Sequence, residues 1–348
     1  MTQWNSDMRV VRTSVWINPI FDQKMQDEPG VSLEVMNLKG SAEAGWKQLS
    51  QAHVYQIAAT KDDLPAEFFA HAALIKRCPH LLVVSSNGAG FDTVDAQACT
   101  EAGVLVVNQS GGNARSVAEH TFGLMLGLAH RMIECDRVMH RTTELTREDV
   151  MGHEITGKTL GLVGIGNVGS QVSGIAKAFQ MQVLAHDPMV EPDEIRRRGA
   201  EPVDLETLLS QSDVVSLHCP RDPSTLRMMN AKRFAQMKRG AWFITTARGG
   251  IHDEQALAQA LQSGHLAGAG LDVWDQEPPP LDHPLMQMQQ VYATFHTAGV
   301  THEARRIVAG MAAQQLIDWK NHLQLPARCA NPQAWSAHLK RRQQILGF

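Results

Sequence analysis

Along the first hundred residues, short apolar runs alternate with stretches whose apolar positions recur at helical spacing. The runs at 10–17, 33–38, 54–59, 81–86 and 104–108 read as strands, and 64–73 and 93–101 are examples of the helices between them. Such alternation predicts a parallel sheet with helices on both faces. A second series begins at residue 158. Its strands are expected at 159–163, 182–187, 213–219, 241–247, 265–273 and 291–297, and its helices at 167–179, 193–198, 205–211 and 254–263. Asp204 and Asp253 stand as N-caps of the last two helices, and Gly264 ends the second of them. A further helix over 303–321 carries Ile307, Val308, Met311 and Leu316 at helical spacing.

Between the two series, Ser116 and Glu119 have the spacing of a capping box and open one long helix over about 117–140. It is apolar on more than one face, as expected of a helix between domains or against another subunit. Residues 145–155 read as a loop, 225–230 as a short segment, and the tail 324–348, with Pro326 and Pro332, as irregular chain folding back on the first series. The expected fold is α/β, with two doubly wound parallel-sheet domains.

Composition narrows the class. A chain of 348 residues, 43% apolar and 20% charged, is an ordinary globular protein of one or two domains. A net charge of −4 gives no electrostatic footprint for nucleic acid. The cysteines Cys78, Cys99, Cys135, Cys219 and Cys329 are odd in number and scattered without a C-x-x-C, which fits reduced thiols. Residues 1–9 hold no apolar signal core, and the longest apolar run, near 122–129, is too short to span a bilayer. The expected location is cytoplasmic. Without an H-E-x-x-H or similar spacing, no metal is expected.

The chemistry centres on residues 159–170. A buried run leads into Gly164, Gly166 and Gly169, a G-x-G-x-x-G that opens a helix. Gly164 permits the tight turn, Gly166 lets the backbone approach a pyrophosphate, and Gly169 lets the helix pack on the strand. The helix then directs its free N–H groups and positive dipole end at the phosphates. Asp187 lies 23 residues after Gly164, where an acid meets the ribose hydroxyls. A bound dinucleotide is the reading of strand, glycines, helix, strand and acid together.

Ligands of open parallel sheets bind beyond the carboxyl ends of the strands. The residues there are Asp187, His218-Cys219-Pro220, Thr246-Ala247-Arg248, Asp272 with Glu277, and His296. An arginine, a carboxylate and a histidine on successive strand ends suit hydride transfer on a 2-oxo or 2-hydroxy acid. Arg248 offers a planar fork to the substrate carboxylate. His296 can give or take the proton at the substrate oxygen, and Glu277 can fix its tautomer. Cys219 borders the predicted adenine pocket, with no reactive role expected.

These residues sit in longer stretches: Ser86-Asn-Gly-Ala-Gly-Phe-Asp92, Ser116-Val-Ala-Glu119, Gly164-Ile-Gly-Asn-Val-Gly169, Leu217-His-Cys-Pro220, Thr246-Ala-Arg-Gly-Gly250 with Asp253-Glu254, Gly270-Leu-Asp-Val-Trp-Asp-Gln-Glu-Pro278 and Thr294-Phe-His-Thr-Ala-Gly299. In this order, over about 80–305, the chain resembles the NAD-dependent D-2-hydroxyacid dehydrogenases. The resemblance implies Arg248 as substrate binder, Glu277 as histidine partner and His296 as acid/base. It implies that backbone N–H groups of Ala89 and Gly90 hold the substrate carboxylate, that Asn167 and Val168 touch the pyrophosphate, and that Asp272 lies near the nicotinamide amide. It further implies a substrate domain of residues 1–115 and 303–348, flavodoxin-like, with a Rossmann NAD-binding domain of 116–302 inserted. Subunits would pair as a homodimer through the long helix near 117–140.

Departures refine this. Phe295 stands where the family usually has proline, Glu277 where formate dehydrogenases have glutamine, and Ala89 where phosphite dehydrogenases have lysine. With no regulatory domain expected beyond residue 348, the long form of phosphoglycerate dehydrogenase is set aside. The expected activity interconverts a D-2-hydroxy acid and its 2-oxo acid. A specialised glyoxylate or hydroxypyruvate reductase, or a short-form phosphoglycerate dehydrogenase, is the runner-up, and an NAD-sensing corepressor-like protein is the rival of another class. Arg196-Arg197-Arg198 can hold a 2′-phosphate, but Asp187 repels one, so NAD is expected over NADP. Specificity is expected around Trp46, residues 54–59, Asn87 and Arg115, with Arg115 a candidate for a second anionic group.

Overall fold

The structure, a computed structural model, describes Trp4 and residues 7–347. Most of the N-terminal stretch read for a signal core, and Phe348 of the tail, lie outside the described residues. The chain divides into two compact units, Met1–Asn113 with His302–Phe348, and Ala114–Thr301.

The first unit holds β1 (Met8–Thr13), β2 (Val31–Met36), β3 (Val54–Ile57), β4 (Val83–Ser86) and β5 (Leu105–Val107), all parallel in the order β2-β1-β3-β4-β5. This is the flavodoxin-like order. β3 and β4 are buried at every position, which is why they read as continuous runs rather than alternations. One face of the sheet packs Tyr55, Ile57, Leu74 and Val84, and the other packs Val54 and Val83 against Leu316 and Trp319 of helix His302–Asn321.

Two expectations change in this unit. The 64–73 helix is instead a 3-10 turn, Ala66–Phe68, and a separate helix, Ala72–Arg77, capped by the His71 ring on the Leu74 N–H. The irregular tail contains a 12-residue helix, Trp335–Leu346. Pro332 starts the 3-10 turn that leads into it rather than breaking it, since proline lacks only an N–H that a first turn leaves unpaired anyway. Asn331 anchors the turn by accepting from Val106 N–H and donating to the Val104 carbonyl.

The second unit holds β6 (Thr159–Val163), β7 (Gln182–His186), β8 (Glu201–Pro202), β9 (Val214–Leu217), β10 (Trp242–Thr245), β11 (Gly268–Leu271) and β12 (Val291–Ala293). They form one parallel sheet in the order β12-β11-β10-β9-β6-β7-β8. The order reverses between β6 and β9, the switch point at which such sheets bind nucleotides. The edge strand β8 and helix Ala231–Gln236, capped by Asn230, were not expected. Both sheet faces carry apolar cores, so the expected α/β fold with two parallel sheets is found.

The long helix is two. Helix Ala114–Ala129 carries eleven buried residues and packs inside its own unit, with Leu124 against Gly270 and Phe122 stacked on Phe179 at 5.4 Å. That accounts for its two apolar faces. It stops because His153 N–H takes the Ala129 carbonyl at 2.7 Å and Gly152 lies on the His130 backbone. Arg131 turns left-handed, and helix Met132–Met139 starts afresh. Ser116 does not cap: its hydroxyl donates to the Ala298 carbonyl at 2.6 Å, and Glu119 pairs with Arg115. No helix among the described residues is long and apolar enough to cross a membrane.

Candidate active site

The glycine turn lies at the end of β6. Gly164 has φ +94°, and a Cβ there would meet the His218–Cys219 backbone within 2.8 Å, so the turn is pressed against the end of β9. A Cβ on Gly169 would strike the Gly164 carbonyl at 2.3 Å, which lets the helix start close to the strand. Gly166 is the opposite case, with nothing within 4 Å of where a Cβ would be. It caps helix Asn167–Ala178, so open space stands before the first N–H groups of a 12-residue helix, and Val168 is part of that first turn. Bare backbone, open space and a helix N-terminus together fit a pyrophosphate.

Asp187 follows β7. Its carboxylate accepts from Ile165 N–H at 2.9 Å and from Met189 N–H at 3.0 Å, which ties the acid to the turn. The three arginines are occupied by acids of their own segment: Arg196 with Asp193 and Glu201, Arg197 with Glu194, and Arg198 with Glu194. After β9, burial pushes His218 down to about 3, so the ring is neutral, with its Nε2 at 2.9 Å from Ser216 Oγ. Burial likewise pushes the Cys219 thiol up to about 11, which leaves no thiolate for a reactive role. Pro220 beside it is exposed. After β10, Thr246 and Ala247 are buried, with Thr246 Oγ1 3.2 Å from Thr121 Oγ1.

Arg248 comes next and donates through Nη1 to the Ala247 carbonyl. The following Gly249 is pressed so closely on the Trp274 backbone that a Cβ would lie 1.8 Å from its carbonyl oxygen. This contact brings the Arg248 turn onto the segment that carries Glu277. Glu277 Oε2 meets His296 Nδ1 at 2.7 Å, and its Oε1 accepts from Trp274 N–H at 3.1 Å. Burial alone would raise the Glu277 carboxyl. The hydrogen bond and charge of His296, the Trp274 N–H and the Arg248 charge outweigh it and hold the group below the usual carboxylate range. An ionised carboxylate only accepts, so Nδ1 is the donor, and Nε2 is the ring position left to exchange a proton. The arrangement is an oriented acid/base with a cation beside it.

Asp272, expected near the nicotinamide amide, stands at the end of β11 with its carboxylate taken up by protein groups. It has no accessible surface, and its oxygens accept from Thr294 Oγ1 at 2.6 Å, Thr297 N–H at 2.8 Å and Ala298 N–H at 3.0 Å. The carboxylate is therefore engaged by the turn that carries His296. His296 itself has φ +50°, and its N–H donates to the Asp272 carbonyl. A non-glycine residue in that region is held by its surroundings, and Asp272 provides most of them. Two residues of the motif stretches to which the sequence assigns no site role support it: Trp274, whose N–H bonds Glu277 and whose indole donates to the Thr294 carbonyl, and Glu254, which accepts from Asp275 N–H. Arg115 is largely exposed and paired with Glu119, so nothing within its unit draws it to an anionic site.

In the first unit, Ala89 and Gly90 lie in the turn after β4. Asn108 donates to the Ala89 carbonyl at 3.0 Å, Ser86 to that of Gly90, and Gln109 accepts from Gly88 N–H at 3.1 Å. The turn's carbonyls are thus held by side chains of its own unit. Among the described residues no cluster of metal-ligating side chains is found.

Residues 122–298 match the family described as D-isomer specific 2-hydroxyacid dehydrogenase, NAD binding domain. The chain is similar to D-3-phosphoglycerate dehydrogenase of Archaeoglobus fulgidus, 39% identical over 247 residues, 71% of this chain and 47% of that one. It therefore spans about half the length of that relative. It is 37% identical to glyoxylate reductase of Korarchaeum cryptofilum over 262 residues, 74% of this chain and 77% of the relative. The crystal structure of D-lactate dehydrogenase from Aquifex aeolicus, complexed with NAD and lactic acid, superposes with a TM-score of 0.80 at 27% identity, covering 92% of this chain and 99% of that one. Glycine turn, strand-end acid and oriented histidine are thus found in a chain that belongs to the D-isomer specific 2-hydroxyacid dehydrogenases, NAD-dependent oxidoreductases.

Proposed function

We propose that this chain interconverts a D-2-hydroxy acid and its 2-oxo acid with NAD(H), with His296 as the proton carrier. The observation that supports this most directly is the 2.7 Å contact between Glu277 and His296 Nδ1, beside Arg248. NAD, when bound, supplies or takes the hydride. Gly164, Gly166, Asn167, Val168 and Gly169 would hold its pyrophosphate and Asp187 its ribose, with Cys219, Pro220, Thr246, Ala247 and His296 along the same strand ends. Asp272, whose carboxylate is bonded to the His296 turn, would lie near the nicotinamide amide.

In the reducing direction, Arg248 holds the 2-oxo acid by its carboxylate, and protonated His296 gives the Nε2 proton to the carbonyl oxygen as hydride reaches the carbon. Glu277 stays ionised and steadies the imidazolium. In the oxidising direction, neutral His296 takes the hydroxyl proton through Nε2 as hydride leaves the same carbon. The Ala89–Gly90 turn, with peptide N–H groups suited to a carboxylate, is proposed as a further substrate contact. The substrate is proposed to be small and anionic, with glyoxylate, hydroxypyruvate and phosphohydroxypyruvate first among those to try, and the assembly is proposed to be a homodimer.

The test is NADH oxidation against a panel of 2-oxo acids, in parallel with His296→Ala. One member should turn over, and the variant should lose about 10²–10⁴-fold in kcat while NADH binding holds. The reducing reaction takes up a proton and the oxidising reaction releases one, so the two rates should change in opposite directions with pH. Matching limbs in both directions, or a variant of unchanged kcat, would overturn His296 as the proton carrier.

A further inference from the structure

Ile165 is the single residue between the first two glycines of the turn, and it is fully buried. Both its backbone polar groups are held by side chains that follow β7. Asp187 takes the N–H, as described. Arg198 donates through Nη1 to the Ile165 carbonyl at 2.7 Å and through Nε to Glu194 at 2.8 Å. Its neighbour Arg197 is 76% exposed at the side chain, whereas Arg198 is 31% exposed.

Arg198 is also fixed by its backbone. It is the last residue of helix Pro192–Arg197's C-terminal cap, and Gly199 after it has φ +90°. A Cβ on Gly199 would come within 2.5 Å of Lys177 Cε and 3.1 Å of Ser173 Oγ, both on helix Asn167–Ala178. One corner of chain therefore touches the glycine turn through Arg198 and the helix it opens through Gly199. Turn and helix together aim the N–H groups at the pyrophosphate, and their register depends on the Ile165 peptide planes on either side.

We propose that Arg198 is a positioning residue for NAD, latching the Ile165 carbonyl so that the backbone from Gly166 to Val168 stays aimed at the pyrophosphate. This differs from a role in holding a 2′-phosphate. A latch matters equally to every ligand that carries the pyrophosphate. A phosphate holder matters to NADPH alone. The inference rests on NAD binding by this unit and not on the substrate, so a wrong substrate reading leaves its test intact.

The experiment measures binding of NADH, NADPH and ADP-ribose to the full chain by fluorescence titration and competition, without a 2-oxo acid. In Arg198→Ala, NADH and ADP-ribose should weaken together by about tenfold. Arg198→Lys, whose nitrogen reaches nearly as far as Nη1, should stay within about threefold of the parent. Thermal melts without nucleotide report folding, and if Arg198→Ala does not fold, Arg198→Gln, whose amide stops short of the Ile165 carbonyl, takes its place and should weaken NADH and ADP-ribose alike. NADH binding by the folded short variant within twofold of the parent, a loss confined to NADPH, or tenfold weakening in Arg198→Lys would each overturn the latch.

Discussion

A histidine can carry a proton to a substrate only if one ring nitrogen is fixed and the other is left to exchange, and Glu277 does this for His296. His252 shows the same side chain without that support. It has no accessible surface, and neither ring nitrogen has a hydrogen-bond partner among the described residues. Around it are the Phe243 ring at 5.6 Å and the charges of Asp275, Arg227, Asp253 and His283. Burial, with Arg227 and His283 adding to it and Asp275 and Asp253 opposing, pushes the ring down to about 4. The folded protein thus binds the proton more weakly than the unfolded chain. Stability is complete above the unfolded value near 6.5 and is lost as pH falls toward 4, by up to about 1.4 kcal/mol per pH unit. His252→Leu removes both the titration and the unpaired nitrogens at similar volume. Its melting temperature should match or exceed the parent's at pH 8, with a larger gain at pH 5. An equal difference at the two pH values would show that the ring's protonation plays no part.

At the scale of elements, the site depends on how closely two strand ends approach, and Gly249 sets that approach. A Cβ there would lie 1.8 Å from the Trp274 carbonyl oxygen and 2.4 Å from its carbon, and backbone cannot yield as a flexible side chain does. Gly249→Ala should cost roughly 1–3 kcal/mol of stability by overpacking. It should also lower kcat/KM for the 2-oxo acid at least tenfold with little change in NADH affinity, because the Arg248 turn and the Glu277 segment move apart. Gly174→Ala, on an exposed helical position with nothing within 4 Å, is the control that keeps its rate. Parent-like kcat/KM in Gly249→Ala would refute the argument. What is legible in the sequence follows the same division. β3, β4 and β9 are buried at every position, so their apolar runs identify them without further help, and Asp204 and Asp253 cap their helices through bonds three residues away. The break at Arg131 is not legible because its cause, residues 152–153 on the Ala129 and His130 backbone, lies 21 and 22 residues on. The helix Trp335–Leu346 was hidden by a proline read as a breaker. For Asp272, strand-end position was legible, but the turn that takes up its carboxylate was not.

At the scale of the whole molecule, the two units share one plan, a parallel sheet covered on both faces, and differ in what they leave exposed. Helix Met132–Met139 has no buried residue, although Met132, Ile133 and Met139 are apolar, at 51%, 37% and 79% exposed, and Leu145 and Met151 follow. The homodimer proposed above would cover these apolar side chains, which are gathered on one short segment outside the core. A second copy is the partner that the family resemblance implies, and a two-fold pair would set this helix against its own counterpart or against a patch near it. The proposed homodimer then predicts a particle of twice the 38.3 kDa chain mass by light scattering at micromolar concentration. Met132→Asp with Ile133→Asp places two charges in that contact, where they remain unpaired and desolvated, and should shift the protein to single chains. The sheet and glycine turn are left intact, so NADH should still bind. A parent protein that runs as a single chain, or a charged variant that stays paired, would remove this helix from the interface.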